Sequence, residues 1–136
     1  MSLVVAVTHL RLFTRPGEWD TAREFYEQAI GLSANLVDAE TGVAMFSIGE
    51  LKLLVERVDD EEEAQDLVGR FAGISFRVKD IERACKVLES HGAAIVAPPT
   101  KQPWGDVLAH VRDPAGNTIT LIEFAAPRGD LTGRPG

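Results

Sequence analysis

Seven side chains of this 136-residue chain have types and spacings that could do chemistry together. His9, Arg11 and Phe13 alternate along one apolar run and Ser75 and Arg77 along another, so each set shares a face if the run is a strand. His110 and Thr120 lie either side of a turn sequence whose closure at Asp113 and Asn117 would set them opposite each other on one face. Two imidazoles can serve as acid and base or as nitrogen ligands, two guanidiniums can hold an anion, and the hydroxyls can orient a polar group. Trp104, just ahead of the hairpin, adds a further aromatic plane that could act as a lid or stacking surface. Together they suit a planar or anionic organic ligand. Each also has a plainer role: His9 as a hydrogen-bonded polar residue, the arginines at a solvated sheet rim, Trp104 packed over its hairpin, and His110 on a strand surface. His91, just before Gly92, reads most simply as the last residue of a helix.

Those faces require strands, and the chain states one design twice. The first unit, residues 4–58, opens with an alternating run at 5–13 and leads through Arg15-Pro16-Gly17-Glu18 to a helix with Asp20 as its expected N-cap. Ala22, Phe25, Ala29 and Ile30 form the helix's apolar face, and Gly31 stands where a left-handed terminating residue belongs. The second unit, residues 71–124, opens at Ala72 and repeats the helix with Asp80 as cap, Ile81, Ala84, Val87 and Leu88 inward, and Gly92 as terminator. Strands are expected at 34–39, 43–48 and 51–57, and again at 93–97, 106–112 and 118–124. Gly49-Glu50 and Asp113-Pro114-Ala115-Gly116-Asn117 predict antiparallel hairpins. Leu10 and Leu12 in the first unit, and Ile74, Phe76, Val78, Ile119 and Leu121 in the second, are expected beneath the helices. The acidic stretch 59–70 reads as a solvated linker able to form a short surface helix, and 127–136 as a mobile tail. Residues 1–126 are expected to form a single α+β domain, because a unit of this size is too small to hold a core alone.

Composition narrows the partners. A net charge of −7 without a cluster of Lys and Arg argues against nucleic acid, and no apolar run approaches the roughly 20 residues of a membrane span. The start of the chain has no basic region ahead of its apolar stretch, as a secretory signal would, and the lone Cys85 excludes an internal disulfide. A cytoplasmic protein is the expectation.

The duplicated frame, Phe25-Tyr26 in the first helix, Gly31-Leu32 after it, Trp104-Gly105 before the last hairpin and Asp113-Pro114-Ala115-Gly116-Asn117 within it resemble the vicinal oxygen chelate superfamily. That group includes glyoxalase I, bleomycin-resistance proteins, fosfomycin-resistance enzymes and extradiol dioxygenases, and the resemblance covers residues 5–124. It implies two βαβββ modules whose curled mixed sheets enclose a cavity, often across a homodimer interface. It also implies a divalent ion held by a His or Gln of each first strand and a Glu of each last strand. His9 matches one such position, but Gly73, Thr120 and the region of Leu53 and Leu54 stand at the others and cannot complete the set. Glu56, Glu123 and His110 are the remaining donors, Glu56 near a strand end and Glu123 of the wrong parity. The expectation is therefore a binding protein without metal or other cofactor, its ligand held by His9, Arg11, Phe13, Ser75, Arg77, Trp104, His110 and Thr120. The competing readings are a lyase, isomerase or dioxygenase using an irregular metal site or His9 and His110 as acid and base, and a partner-binding module with a vestigial cavity.

Overall fold

Two copies of one arrangement follow each other in the computed structural model, which describes residues 2–125. The first comprises β1 (His9–Thr14), α1 (Trp19–Glu24), β2 (Ser33–Asp38), β3 (Val43–Ile48) and β4 (Leu51–Arg57). After α2 (Glu61–Leu67) come β5 (Phe71–Arg77), α3 (Ile81–Ser90), β6 (Ala94–Lys101), β7 (Val107–Arg112) and β8 (Thr118–Glu123). Each set forms a four-stranded mixed sheet, ordered β1-β4-β3-β2 and β5-β8-β7-β6, with β1·β4 and β5·β8 parallel and the other pairs antiparallel. The chain is thus α+β with two βαβββ modules, as predicted. The expected tail from Pro127 onward lies outside the described residues.

β1 starts later than the run at 5–13 predicts, and its partner explains why. In the parallel register His9 pairs with Lys52 and Thr14 with Arg57. Continued backward, that register would set Ala6 and Val7 against Gly49 and Glu50, where the chain has already turned from β3 into β4. The segment ahead of Thr8 therefore overhangs the sheet, and Leu3, Val4, Val5 and Val7 are 67–100% exposed.

The first helix also begins differently from the prediction. A 3-10 turn at Pro16–Glu18 leads in, and Glu18 rather than Asp20 occupies the N-cap position, without a side-chain cap bond. Pro16 has a φ suited to a first helical turn and no N–H to leave unsatisfied, so the winding starts ahead of Asp20. Asp20 instead accepts from Arg23 at 2.9 Å within the first turn. The helix continues through a π-turn at Phe25–Ala29 that buries the adjacent Phe25 and Tyr26, their rings edge to face at 5.2 Å. It ends at Gly31, with φ +91°. α3 follows its prediction at both ends: Asp80 accepts the Arg83 N–H at 3.1 Å, and Gly92 has φ +99°.

The helix-facing sides of both sheets share one buried core. Leu12, Phe46, Leu53 and Val55 of the first module continue into Ile74, Leu88, Val111, Ile119 and Leu121 of the second. Trp19 donates its indole N–H to the Val55 carbonyl at 2.9 Å, which satisfies a polar atom inside that core. The acidic stretch forms α2, which Asp60 caps by accepting from Glu63 N–H, and Ala64 packs with Val58 and Val68 beside Phe13. β6 runs past its predicted end through Pro98 and Pro99, which the outer edge of a sheet tolerates because no partner strand needs their missing N–H groups.

The turn at 113–117 joins the modules. Asp113 is buried and accepts the Tyr26 hydroxyl at 2.6 Å and the backbone N–H groups of Ala115 and Asn117 at 2.9 Å. Asn117 donates to the Phe13 carbonyl at 2.8 Å and accepts from the N–H groups of Gly69 at 2.8 Å and Arg70 at 3.2 Å. One five-residue turn of the second module thereby holds the π-turn after α1, β1 and the segment that links the modules.

Candidate functional site

Alternation along β1 and β5 divides the side chains as expected. Leu12 and Ile74 are buried under the helices, while His9, Arg11, Ser75 and Arg77 are exposed on the opposite face. The ladders extend this face, bringing Lys52, Leu54 and Glu56 beside His9, Arg11 and Phe13, and Thr118, Thr120 and Ile122 beside Phe71, Ser75 and Arg77. β1 and β5 are edge strands of their own sheets, and Asn117 of the second module reaches the carbonyl side of β1 at Phe13.

The second module carries the densest polar cluster. His110 pairs with Thr120 across the β7–β8 hairpin, and its Nδ1 lies 2.9 Å from the Thr120 Oγ1. Ser75 pairs with Thr120 from the other side. Phe71, absent from the predicted set because the strand was expected to open at Ala72, meets the His110 ring edge to face at 5.5 Å. The register shifts between Phe71 and Ser75, where Gly73 adopts φ +72°, with four residues of β5 spanning two of β8, so Phe71 keeps the parity of Ser75. The alternation Phe71, Gly73, Ser75 was the signal available in the sequence.

In the first module Arg11 is already engaged. Its guanidinium holds Glu56 in a two-pronged pair at 2.6 and 2.9 Å and lies over the Phe13 ring at 5.2 Å. The hydrogen bonds that Arg11 donates to Glu56, reinforced by the charge of Glu56, raise the Arg11 pKa above its ordinary value. Glu56, considered above as a metal donor near a strand end, belongs to this face as the counter-charge of Arg11. Its usable signal was its parity with Leu54 in β4.

His9 stands apart from both groups, exposed, with Nδ1 2.7 Å from the Thr8 Oγ1. Arg77 lies over the Phe124 ring at 4.1 Å. Trp104 is 59% exposed at the β6–β7 turn and stacks on no other ring among the described residues. The eight predicted residues thus fall into a cluster of Ser75, Thr120 and His110, a pair of Arg11 and Phe13, and three separate positions.

These residues do not fit a divalent ion. Across the ladder from His9 stands Lys52, an ammonium where a carboxylate ligand would be needed, and it donates to Ser47 at 3.1 Å. In the second module Gly73 stands at the first-strand position, and Thr120, at the last-strand position, pairs with Ser75. Among the described residues no three His, Cys, Asp or Glu side chains converge where they could share an ion. A lone imidazole beside a cation is a poor donor set for a divalent metal.

Two depressions flank the junction of the modules. A smaller one of about 310 Å³ is bordered by Arg11, Phe13, Arg70 and Phe71, so it adjoins both the arginine pair and the His110 cluster. A larger groove of about 650 Å³ runs between α3 and the end of α1, with Ser75 and Arg77 at its border and an apolar floor that includes Leu88 and Leu121.

A sequence model of the Glyoxalase/Bleomycin resistance protein/Dioxygenase superfamily matches residues 7–121. The chain is 27% identical over 111 residues to the uncharacterized protein YraH of Bacillus subtilis (strain 168), covering 74% of this chain and 86% of that protein. Among solved structures it superposes with TM-score 0.70 on a glyoxalase-related enzyme from Fulvimarina pelagi, at 15% identity and 89% of each chain. A lactoylglutathione lyase from Agrobacterium tumefaciens gives a TM-score of 0.65 at 21% identity, over 88% of this chain and 94% of that one. At such identities the likeness of the structures is one of fold. No helix among the described residues is long and apolar enough to cross a membrane.

Proposed function

Because the chain belongs to the Glyoxalase/Bleomycin resistance protein/Dioxygenase superfamily, we propose that it binds a small organic ligand on the helix-free faces of its sheets without the metal that many relatives use. The observation that supports this most is the cluster of His110, Thr120 and Phe71, with Ser75 across the ladder. An aromatic edge, a half-buried imidazole and two hydroxyls on one rigid sheet can stack and hydrogen-bond a planar molecule. Arg11 contributes less net charge than its type suggests, since Glu56 neutralises it. The preferred ligand is accordingly a planar, hydrogen-bonding molecule with at most one acidic group, and Arg77 is the cation available to that group. Sequestration, sensing or carriage in the cytoplasm would follow from binding alone.

Two measurements test the reading. Metal analysis of protein purified without chelator should give far less than one divalent ion per chain; a stoichiometric ion overturns the metal-free assignment. A panel of planar aromatic amides and monocarboxylates, titrated with calorimetric detection, should yield a binder whose affinity falls about tenfold in His110→Ala, the equivalent of one hydrogen bond and its stacking contact. Equal affinity in the wild type and the variant would remove the cluster from the site.

A further inference from the structure

The large groove beside α3 has one chemistry where it starts and another along its length. Lys79 and Arg83 border it where the chain passes from β5 into α3, and Ala84 and Val87 follow along the helix. Arg83 and Val87 are four residues apart and so share one side of α3. Ile30, Leu32 and Ile48 of the first module continue the apolar wall. These apolar side chains are half-buried, so each keeps surface that the core does not cover. Among the described residues neither Lys79 nor Arg83 lies within ion-pairing distance of a carboxylate. The carboxylates at this end are turned to the backbone instead: Asp80 accepts the Arg83 N–H at 3.1 Å and Glu123 accepts the Ile81 N–H at 2.8 Å. They occupy the first N–H groups of α3 and leave the two side chains as the donors. Arg77 also borders the groove, but its guanidinium is stacked on Phe124.

We propose that the groove binds a free single-chain aliphatic carboxylate, its tail along α3 and its head group held by Lys79 and Arg83. Charge complementarity fixes the head: an ammonium and a guanidinium at one end suit one carboxylate. The wall fixes the tail, since past Arg83 it is built of Ala84, Val87, Ile30, Leu32 and Ile48, which can hydrogen-bond nothing. A volume of about 650 Å³ is that of a small-molecule site, and the ten residues of α3 give the tail a path of about 15 Å. The occupant is a free molecule and not a membrane lipid, because a chain of net charge −7 is repelled by an anionic bilayer. The groove is walled by α3, on the side of the second sheet opposite His110, so the inference does not rest on the ligand cluster there.

Calorimetric titration with decanoate, kept below its micelle-forming concentration, should show one site per chain. From hexanoate through octanoate to decanoate, each added methylene should tighten binding roughly fourfold. Decanol, with the same tail and no charge, should bind roughly tenfold more weakly than decanoate. Lys79→Gln and Arg83→Gln should each weaken decanoate and leave decanol unchanged, a split that damage to the fold would not produce. Val87→Asp should abolish binding of both, with the circular dichroism of a folded protein. An affinity indifferent to tail length, or decanol equal to decanoate, would overturn the proposal. Loss of decanoate binding in His110→Ala would also overturn it, by moving the ligand to the other face. An affinity that falls as protein concentration rises would give the groove to a second copy, and cosedimentation with phosphatidylglycerol vesicles that depends on Arg83 would give its cations to a lipid surface; either result sinks the free-ligand assignment.

Discussion

Asp113 is a carboxylate inside the protein, only 3% exposed, and its neighbours are what make that tolerable. Burial raises its pKa above the usual carboxylate value, while the Tyr26 hydroxyl and the N–H groups of Asn117 and Ala115 pull it back. A carboxyl whose folded pKa is raised contributes stability that is fully present below its unfolded pKa and is lost as pH rises through the folded one. Tyr26→Phe removes a donor to the ionised form and so raises the folded pKa further. The variant should lose about 1–3 kcal/mol near neutral pH, and the deficit should narrow as pH falls toward the unfolded value near 4. Denaturant unfolding at a series of pH values measures it; a deficit independent of pH would mean that Asp113 is not the group responsible. Single residues were legible in the sequence where alternation alone decides them, as for Leu12, Ile74, His110 and Thr120. Parity could place Glu56 and Phe71 on their face, but the roles of Tyr26, Glu56 and Phe71 depend on partners distant in the chain: Asp113, Arg11 and His110. Register, turn and bulge determine whether those side chains meet.

Elements were read best where their signals are local. The Asp80 cap, the terminators Gly31 and Gly92, and the two hairpins needed only neighbouring residues to specify them. The start of β1 depends on where β4 begins, more than forty residues along the chain, so no local pattern of valines could fix it. Asp20 failed as a cap for the opposite reason, since Pro16 offered a competing start within the same loop. Glycines separate these cases by experiment. Gly42 has φ +74°, and a Cβ built there would stand 2.6 Å from the Arg57 Cβ, whereas Gly31, at φ +91°, has open space around it. Gly31→Ala should cost about 1 kcal/mol from backbone strain alone. Gly42→Ala should cost clearly more, because β4 must also shift. Thermal denaturation of the two variants compares them directly, and equal losses would show that the turn moves aside freely.

At the scale of the molecule, two sheets with free edges at β1 and β5 are joined by a common core and by the turn at Asp113–Asn117. The duplicated frame anticipated this architecture, in which the two copies differ at His9 and Gly73. That the polar residues of the two modules do not gather into one cluster was not visible, since it follows from how the sheets lie against each other. Asn117 has a consequence for how the protein opens. Its amide holds Gly69, Arg70 and Phe13 together, so one side chain pins both the segment ahead of β5 and the end of β1. Loop amides ordinarily exchange their hydrogens with solvent through local fraying. The amides of Gly69 and Arg70 should instead exchange slowly, at the rate of buried core strands, and should become fast together in Asn117→Ala. Two amides in a connecting segment would then report, from a distance, how firmly that one side chain is seated.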